Sequence, residues 1–94
     1  MKIIESAQKA LNDEIKGLSL LKEFFNSDFE NAVNAIFQTK GKVVVTGVGK
    51  SGHIGRKISA TLSSTGTPSY FVHPTEASHG DMGIIENNDI IFAI

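Results

Sequence analysis

The chain has 94 residues, 40% of them hydrophobic and 20% charged, and a formal net charge of -1, the balance of a soluble globular protein. Nine Lys and Arg against ten Asp and Glu leave no basic surplus for a nucleic-acid backbone, and the absence of cysteine excludes a disulfide framework or a thiolate metal site. No run reaches the ~20 apolar residues of a membrane span, and the polar residues after Met1-Lys2-Ile3-Ile4-Glu5 leave no apolar core for a signal peptide; the expectation is a cytoplasmic protein that binds neither nucleic acid nor membrane.

Ile4, Ala7, Leu11, Ile15, Leu18, Leu21 and Phe25 recur at steps of three or four, which predicts an amphipathic helix from Ile4 to Phe25. Asn26, Ser27 and Asp28 interrupt it. Ser27 and Glu30 have the spacing of a capping box that starts a second helix, with Phe29, Ala32, Val33, Ile36 and Phe37 on one face and an end near Lys40-Gly41. Then the period changes: Val43-Val44-Val45 reads as a strand buried on both faces. Ile54, Ile58, Thr61 and Leu62 have helical spacing and end at Gly66-Thr67-Pro68. Tyr70-Phe71-Val72 reads as a second strand and, after a polar loop, Ile90 to Ile94 as a third, again apolar on both faces. This succession predicts an α/β fold with a parallel sheet and right-handed crossover, divided into a helical segment at 1–40 and a sheet-bearing segment at 41–94. The third strand runs to Ile94 with no cap or covering helix, and doubly wound domains usually need ~100 to 150 residues; the expectation is an incomplete domain.

Between the first strand and the next helix stands Thr46-Gly47-Val48-Gly49-Lys50-Ser51-Gly52-His53, which fits G-x-G-x-x-G. Glycines let the backbone turn sharply and approach a ligand, and free amides at a helix start attract an anion. By themselves they mark either a phosphate cradle or a tight strand-to-helix turn. A dinucleotide would want an acidic residue at the end of the second strand, where Val72-His73 stands, and a Walker loop would want glycine where Val44 stands. Lys50 favours the phosphate reading, since a cation beside a helix N-terminus is opposed by the macrodipole. His53 is read as structural.

The second polar loop, His73 to Gly83, leaves the same carboxyl edge of a parallel sheet as the glycine loop. Its histidines, His73 and His79, can move protons near neutral pH, with Glu76 or Asp81 to orient them. The same residues also suit a solvated turn. Glu76, His79 and Asp81 as a three-ligand metal site match no known metal spacing.

Together, Val45 to Lys57, Ser64-Thr65-Gly66-Thr67-Pro68, Phe71-Val72-His73-Pro74 and Glu76-Ala77-Ser78-His79-Gly80-Asp81 resemble the sugar isomerase (SIS) domain of D-arabinose 5-phosphate isomerases, from about Gly41 to the last residue. The resemblance implies a three-layer parallel sandwich of flavodoxin-like or Rossmann-like type, of which this chain is the first part. It implies interconversion of D-arabinose 5-phosphate and D-ribulose 5-phosphate through an enediol, feeding synthesis of the lipopolysaccharide sugar Kdo, with no redox cofactor. Lys50 matches the family's catalytic lysine and His79 a substrate-contacting histidine, assigned here to catalysis and binding. Gly47, Gly49, Ser51 and Gly52 fall in the substrate loop, and His73 matches a substrate contact that also takes an inhibitory zinc. Gly66-Thr67 matches a substrate-contact pair at the opposite edge of the sheet, which implies a neighbouring subunit and a homo-oligomer, expected to be a tetramer. The family's serine-rich phosphate loop, its essential glutamate and a later glutamate and histidine would fall beyond Ile94. Rival readings are another SIS isomerase and a sugar-phosphate sensor module.

Overall fold

The computed structural model describes residues 2–94. It divides into two compact units, the first ending at Val33 and the second running from Asn34 to Ile94.

In the first unit, α1 covers Lys2–Leu20 and a 3-10 turn covers Leu21–Phe24, so the last turn of the predicted helix tightens before it stops. Ile4, Leu11, Ile15 and Leu18 line one stripe of α1 and are exposed. The next helix, α2, covers Ser27–Gln38. Its cap is Asn26 rather than the expected Ser27–Glu30 pair: Asn26 Oδ1 accepts the amides of Asp28 and Phe29 at 3.1 and 3.2 Å. Phe25 and Phe29 pack across this cap with ring centroids 4.9 Å apart and planes tilted by 45°.

The second unit is a three-stranded parallel sheet. The strands β1 (Val43–Thr46), β2 (Ser69–Phe71) and β3 (Ile90–Ala93) lie in the order β2-β1-β3. Val43 pairs with Ser69 on one side and Ile90 on the other, and this register carries through Val45 opposite Phe71 and Phe92. Val43, Val44 and Val45 are buried, which fits the β-branched run. The third strand is only half covered, with Ile91 58% exposed.

Between β1 and β2, helix α3 covers Lys50–Ser64. It ends in a Schellman motif: Thr67 N–H donates to Leu62 O at 2.8 Å and Gly66 N–H to Ser63 O at 3.3 Å, with Gly66 at φ 98°. Ser59 and Ser69 share a hydrogen bond at 2.8 Å, and Ser69 Oγ donates to Val43 O, so the helix is stitched to both β2 and β1. The segment read as a polar loop instead forms a short helix α4 (Pro74–Ser78) and a 3-10 turn (Asp81–Ile84). Elements of five and four residues are too short for a hydrophobic period to reveal.

At the amino ends of β1 and β3 sits Asp89. Its carboxylate accepts the Lys42 amide at 2.7 Å and the Glu86 amide at 2.8 Å, and Lys42 Nζ lies 3.7 Å away. The backbone hydrogen bonds from Lys42 and Glu86 hold the Asp89 carboxyl below the usual carboxylate range, helped by the Lys42 charge. A folded-state pKa lowered in this way gives stability that is present above the unfolded value and lost as pH falls through the folded one. Asp89→Ala is therefore expected to lower the thermal midpoint at pH 7 and to flatten its dependence on pH in the acid range. Thermal melts of both proteins between pH 7 and pH 2 check this, and parallel pH profiles for the two would refute it.

Candidate functional site

Where β1 ends at Thr46, the chain turns through Gly47 to Gly52 into α3. Gly49 is the N-cap with φ 62° and ψ -127°, a backbone region that L side chains rarely adopt. Gly52 is required for a different reason: a Cβ there would stand 2.7 Å from the Gly47 carbonyl oxygen. Gly52 N–H donates to Val48 O at 3.4 Å and His53 N–H to Gly49 O at 3.1 Å. The first-turn amides of Lys50 and Ser51 precede these bonds and are available to an anion. Lys50, the first residue of α3, is exposed, and Ser51 is half-buried.

The other loop leaves β2 at the same edge. Val72 N–H donates to Val45 O, which carries the parallel pairing one residue past β2 and delivers His73 beside the glycine loop. His73 is extended, as a residue before proline tends to be, and caps α4: its Nδ1 accepts the Thr75 amide at 3.1 Å. Gly49, Gly52, His53, Arg56, Phe71 and His73 line a concavity of about 200 Å³. The Arg56 guanidinium lies over the Phe71 ring, 4.3 Å from its centroid.

The structure thus brings Gly49, Gly52 and His73 together, as expected of two loops on one edge. His53, read from sequence as structural, is exposed and lines the same concavity, because the first turn of α3 carries it outward beside Gly49. Arg56 received no role from the sequence; its place three residues after His53, one helical turn on, was the available signal. Lys50 and His79 are not among the residues lining this hollow, and His79 sits exposed at the C-cap of α4. Gly66 and Thr67 stand at the opposite edge with Thr39, Gly41 and Pro68, around a separate hollow of about 290 Å³. A larger hollow of about 420 Å³ follows α3 along His53, Ile54, Lys57, Ile58, Thr61 and Leu62, and the surface it exposes is almost entirely apolar.

For a zinc ion at His73 the fit is poor in this arrangement. The Nδ1 lone pair already accepts the Thr75 amide, so in the neutral ring the proton sits on Nε2 and no nitrogen is free to coordinate. Among the described residues no group of three or more His, Asp and Glu side chains stands close enough to hold a metal, Glu76, His79 and Asp81 included.

The glycine loop that opens α3 and the histidine loop after β2 meet at the carboxyl edge of a parallel α/β sheet, the edge at which open sheets of this class bind ligands. The SIS domain family matches residues 35–94, and the chain belongs to that family. It is 56% identical over 90 residues to the arabinose 5-phosphate isomerase KdsD of Yersinia pestis and 51% identical over 92 residues to GutQ, an arabinose 5-phosphate isomerase of Escherichia coli K12. These alignments cover 96% and 98% of this chain but 27% and 29% of those proteins. Among solved structures, the E. coli CFT073 protein c3406 in complex with arabinose 5-phosphate superposes with a TM-score of 0.88 at 41% identity, covering 98% of this chain and 49% of that one. No helix among the described residues is long and apolar enough to cross a membrane.

Since Gly49 occupies a conformation reserved for glycine while a Cβ there would meet nothing within 4 Å, the penalty of a side chain is backbone strain alone. Gly49→Ala is expected to destabilise the protein by roughly 1–3 kcal/mol. Urea unfolding of the two proteins measures it, and equal midpoints would show that the loop relaxes freely.

Proposed function

We propose that this chain supplies the substrate-binding loops of an isomerase that interconverts D-arabinose 5-phosphate and D-ribulose 5-phosphate. The identity of 56% to the Yersinia pestis arabinose 5-phosphate isomerase KdsD, over 96% of this chain, carries this reading. The geometry supports it: first-turn amides and Lys50 offer positive charge to a phosphate ester or to a developing oxyanion, and His73 reaches the same edge.

The reaction moves one proton between C2 and C1 of the sugar while a carbonyl and a hydroxyl exchange places, so it is redox-neutral overall and requires no cofactor. Charge builds on the oxygens of the enediolate between them. Lys50, whose ammonium is opposed by the α3 dipole unless an anion stands near, is the group assigned to steady that charge. His79 is assigned to substrate contact, with Gly47 and Ser51 in the phosphate-facing loop. Gly66 and Thr67, at the far edge, are assigned to the site of a neighbouring copy in a homotetramer. The enzyme would act in the cytoplasm, on the route to the lipopolysaccharide sugar Kdo.

The test is kinetic. In the intact protein, Lys50→Ala is expected to lower kcat by roughly 10² or more, the scale of losing one oxyanion-stabilising group. KM should change far less, since the phosphate charge is the same in ground and transition states. A variant with raised KM and unchanged kcat would make Lys50 a phosphate anchor and remove its catalytic role. No turnover of arabinose 5-phosphate by the wild-type protein would remove the reaction itself. Circular dichroism of the variant, matching wild type, is read first.

A further inference from the structure

Arg56 stands on the second turn of α3, three residues after His53. A long helical side chain leans toward the N-terminus of its helix, so one at this place covers the first turn. It lines the concavity of about 200 Å³ together with Gly49 and Gly52 from the helix start. Phe71 holds it there. A Cβ on Gly55 would stand 3.1 Å from the Phe71 ring and one on Gly52 3.6 Å from it, so the ring is lodged against the bare backbone of two glycines one turn apart. The same ring carries the guanidinium 4.3 Å from its centroid. Stacking on a ring that cannot move removes rotamer freedom an exposed arginine otherwise keeps, and it leaves the in-plane N–H groups for a ligand.

The charge on Arg56 is unanswered where it stands. The wall of the concavity consists of Gly49, Gly52, His53, Arg56, Phe71 and His73, without a carboxylate. Neither ion pair among the described residues, Lys9–Asp13 or Lys42–Asp89, engages it, and α3 itself carries Lys50, Arg56 and Lys57 with no acidic residue. His53 and His73 are the other polar side chains of the wall. A neutral imidazole has one N–H and one lone pair, so neither ring supplies the negative charge that the guanidinium lacks.

We propose that Arg56 is the anion-binding group of this concavity, taking two oxygens of a phosphate group through its planar fork, and that Phe71 is the positioning residue that aims it. The ligand's identity as a sugar phosphate rests on the function proposed above; the anion site stands on the geometry. Lys50 does not line this wall, so the two cations of α3 act at different places. Gly52 and Gly55 then have a further use, since a side chain at either would push on the ring that carries the guanidinium.

Isothermal titration of the intact protein with inorganic phosphate and with arabinose 5-phosphate tests this, after thermal melts have shown each variant to be folded. Arg56→Gln should weaken binding of phosphate by about 10-fold or more, the loss expected for hydrogen bonds to a charged group. Arg56→Lys should recover part of that loss. A lysine variant as weak as the glutamine one would overturn the reading of Arg56 as the anion's charge partner. If arabinose 5-phosphate weakens in parallel, the guanidinium holds the phosphate of the substrate. If arabinose 5-phosphate binds Arg56→Gln as it binds wild type, the anion site stands and is separate from the substrate's. Wild-type protein that binds phosphate and not arabinose 5-phosphate would keep the anion site and remove the proposed substrate.

Unchanged phosphate affinity in Arg56→Gln, or no phosphate binding by wild type, would overturn the proposal and leave the guanidinium as a cover for Phe71. His53→Ala should stay close to wild type; a loss there with none in Arg56→Gln would move the anion to the imidazole and overturn the proposal equally. Phe71→Leu should weaken phosphate binding while Arg56 is present and add nothing in the Arg56→Gln background. Additive losses in that cycle would end the positioning role of Phe71. Because Phe71 also packs against α3, the exposed Arg56 variants decide the anion site without it.

Discussion

Val43, Val44 and Val45 are closed off from solvent on both faces, while the backbone of the same strand pairs with β2 on one side and β3 on the other. A strand so placed cannot slip by one residue, because the slip would exchange its two buried faces and break both ladders. Its end is therefore fixed, and the glycine loop starts from a fixed point. The helix that follows is fixed as well: a Cβ on Gly55 would stand 3.1 Å from both Val45 and Phe71, so α3 lies against the sheet at bare-backbone distance. The geometry of Gly49, Gly52 and Arg56 descends from that one buried strand.

The two ends of the strand are treated differently. At the amino end the Asp89 carboxylate, out of solvent and taken up by two amides and a lysine, ties the entry of β1 to the entry of β3. At the carboxyl end few such ties are made, and donors are left facing outward: first-turn amides, the Arg56 guanidinium and His73. One edge of the sheet is satisfied internally and serves as the anchor. The other is left electrostatically incomplete, and an incomplete set of donors is what an anion requires.

Long-period features were legible in the sequence because burial writes them there. The helices of the first 40 residues, the parallel order of three strands and the meeting of the glycine and histidine loops at one edge all follow from apolar spacing and the topology it permits. What was not legible depends on short-range geometry. Asn26 and Ser27 are both good caps, and only the backbone shows that Asn26 reaches the amides of Asp28 and Phe29. Helix α4 has five residues, too few for a period, and its cap is a histidine ring, a residue that the usual capping signature does not include. Reading His53 as structural rested on its place in a helix start, yet the residue is exposed there and lines the hollow beside Gly49.

The placement of Gly66 and Thr67 sets a geometric limit on any site built from this chain. They follow α3 and precede β2, and the Pro68 carbonyl accepts the amide of Val43, which puts them at the amino edge. Gly49 and His73 are at the carboxyl edge. The four residues of β1 separate the two edges by about 13 Å at ~3.3 Å per residue. A five-carbon sugar phosphate held against the α3 amides does not span that distance through the packed valines between. If both groups touch one ligand, they come from different copies of the chain, with the amino edge of one set against the carboxyl edge of another. Such a contact joins unlike surfaces, and an assembly built on it closes only when the rotation between copies does. Catalysis would then depend on assembly through geometry alone.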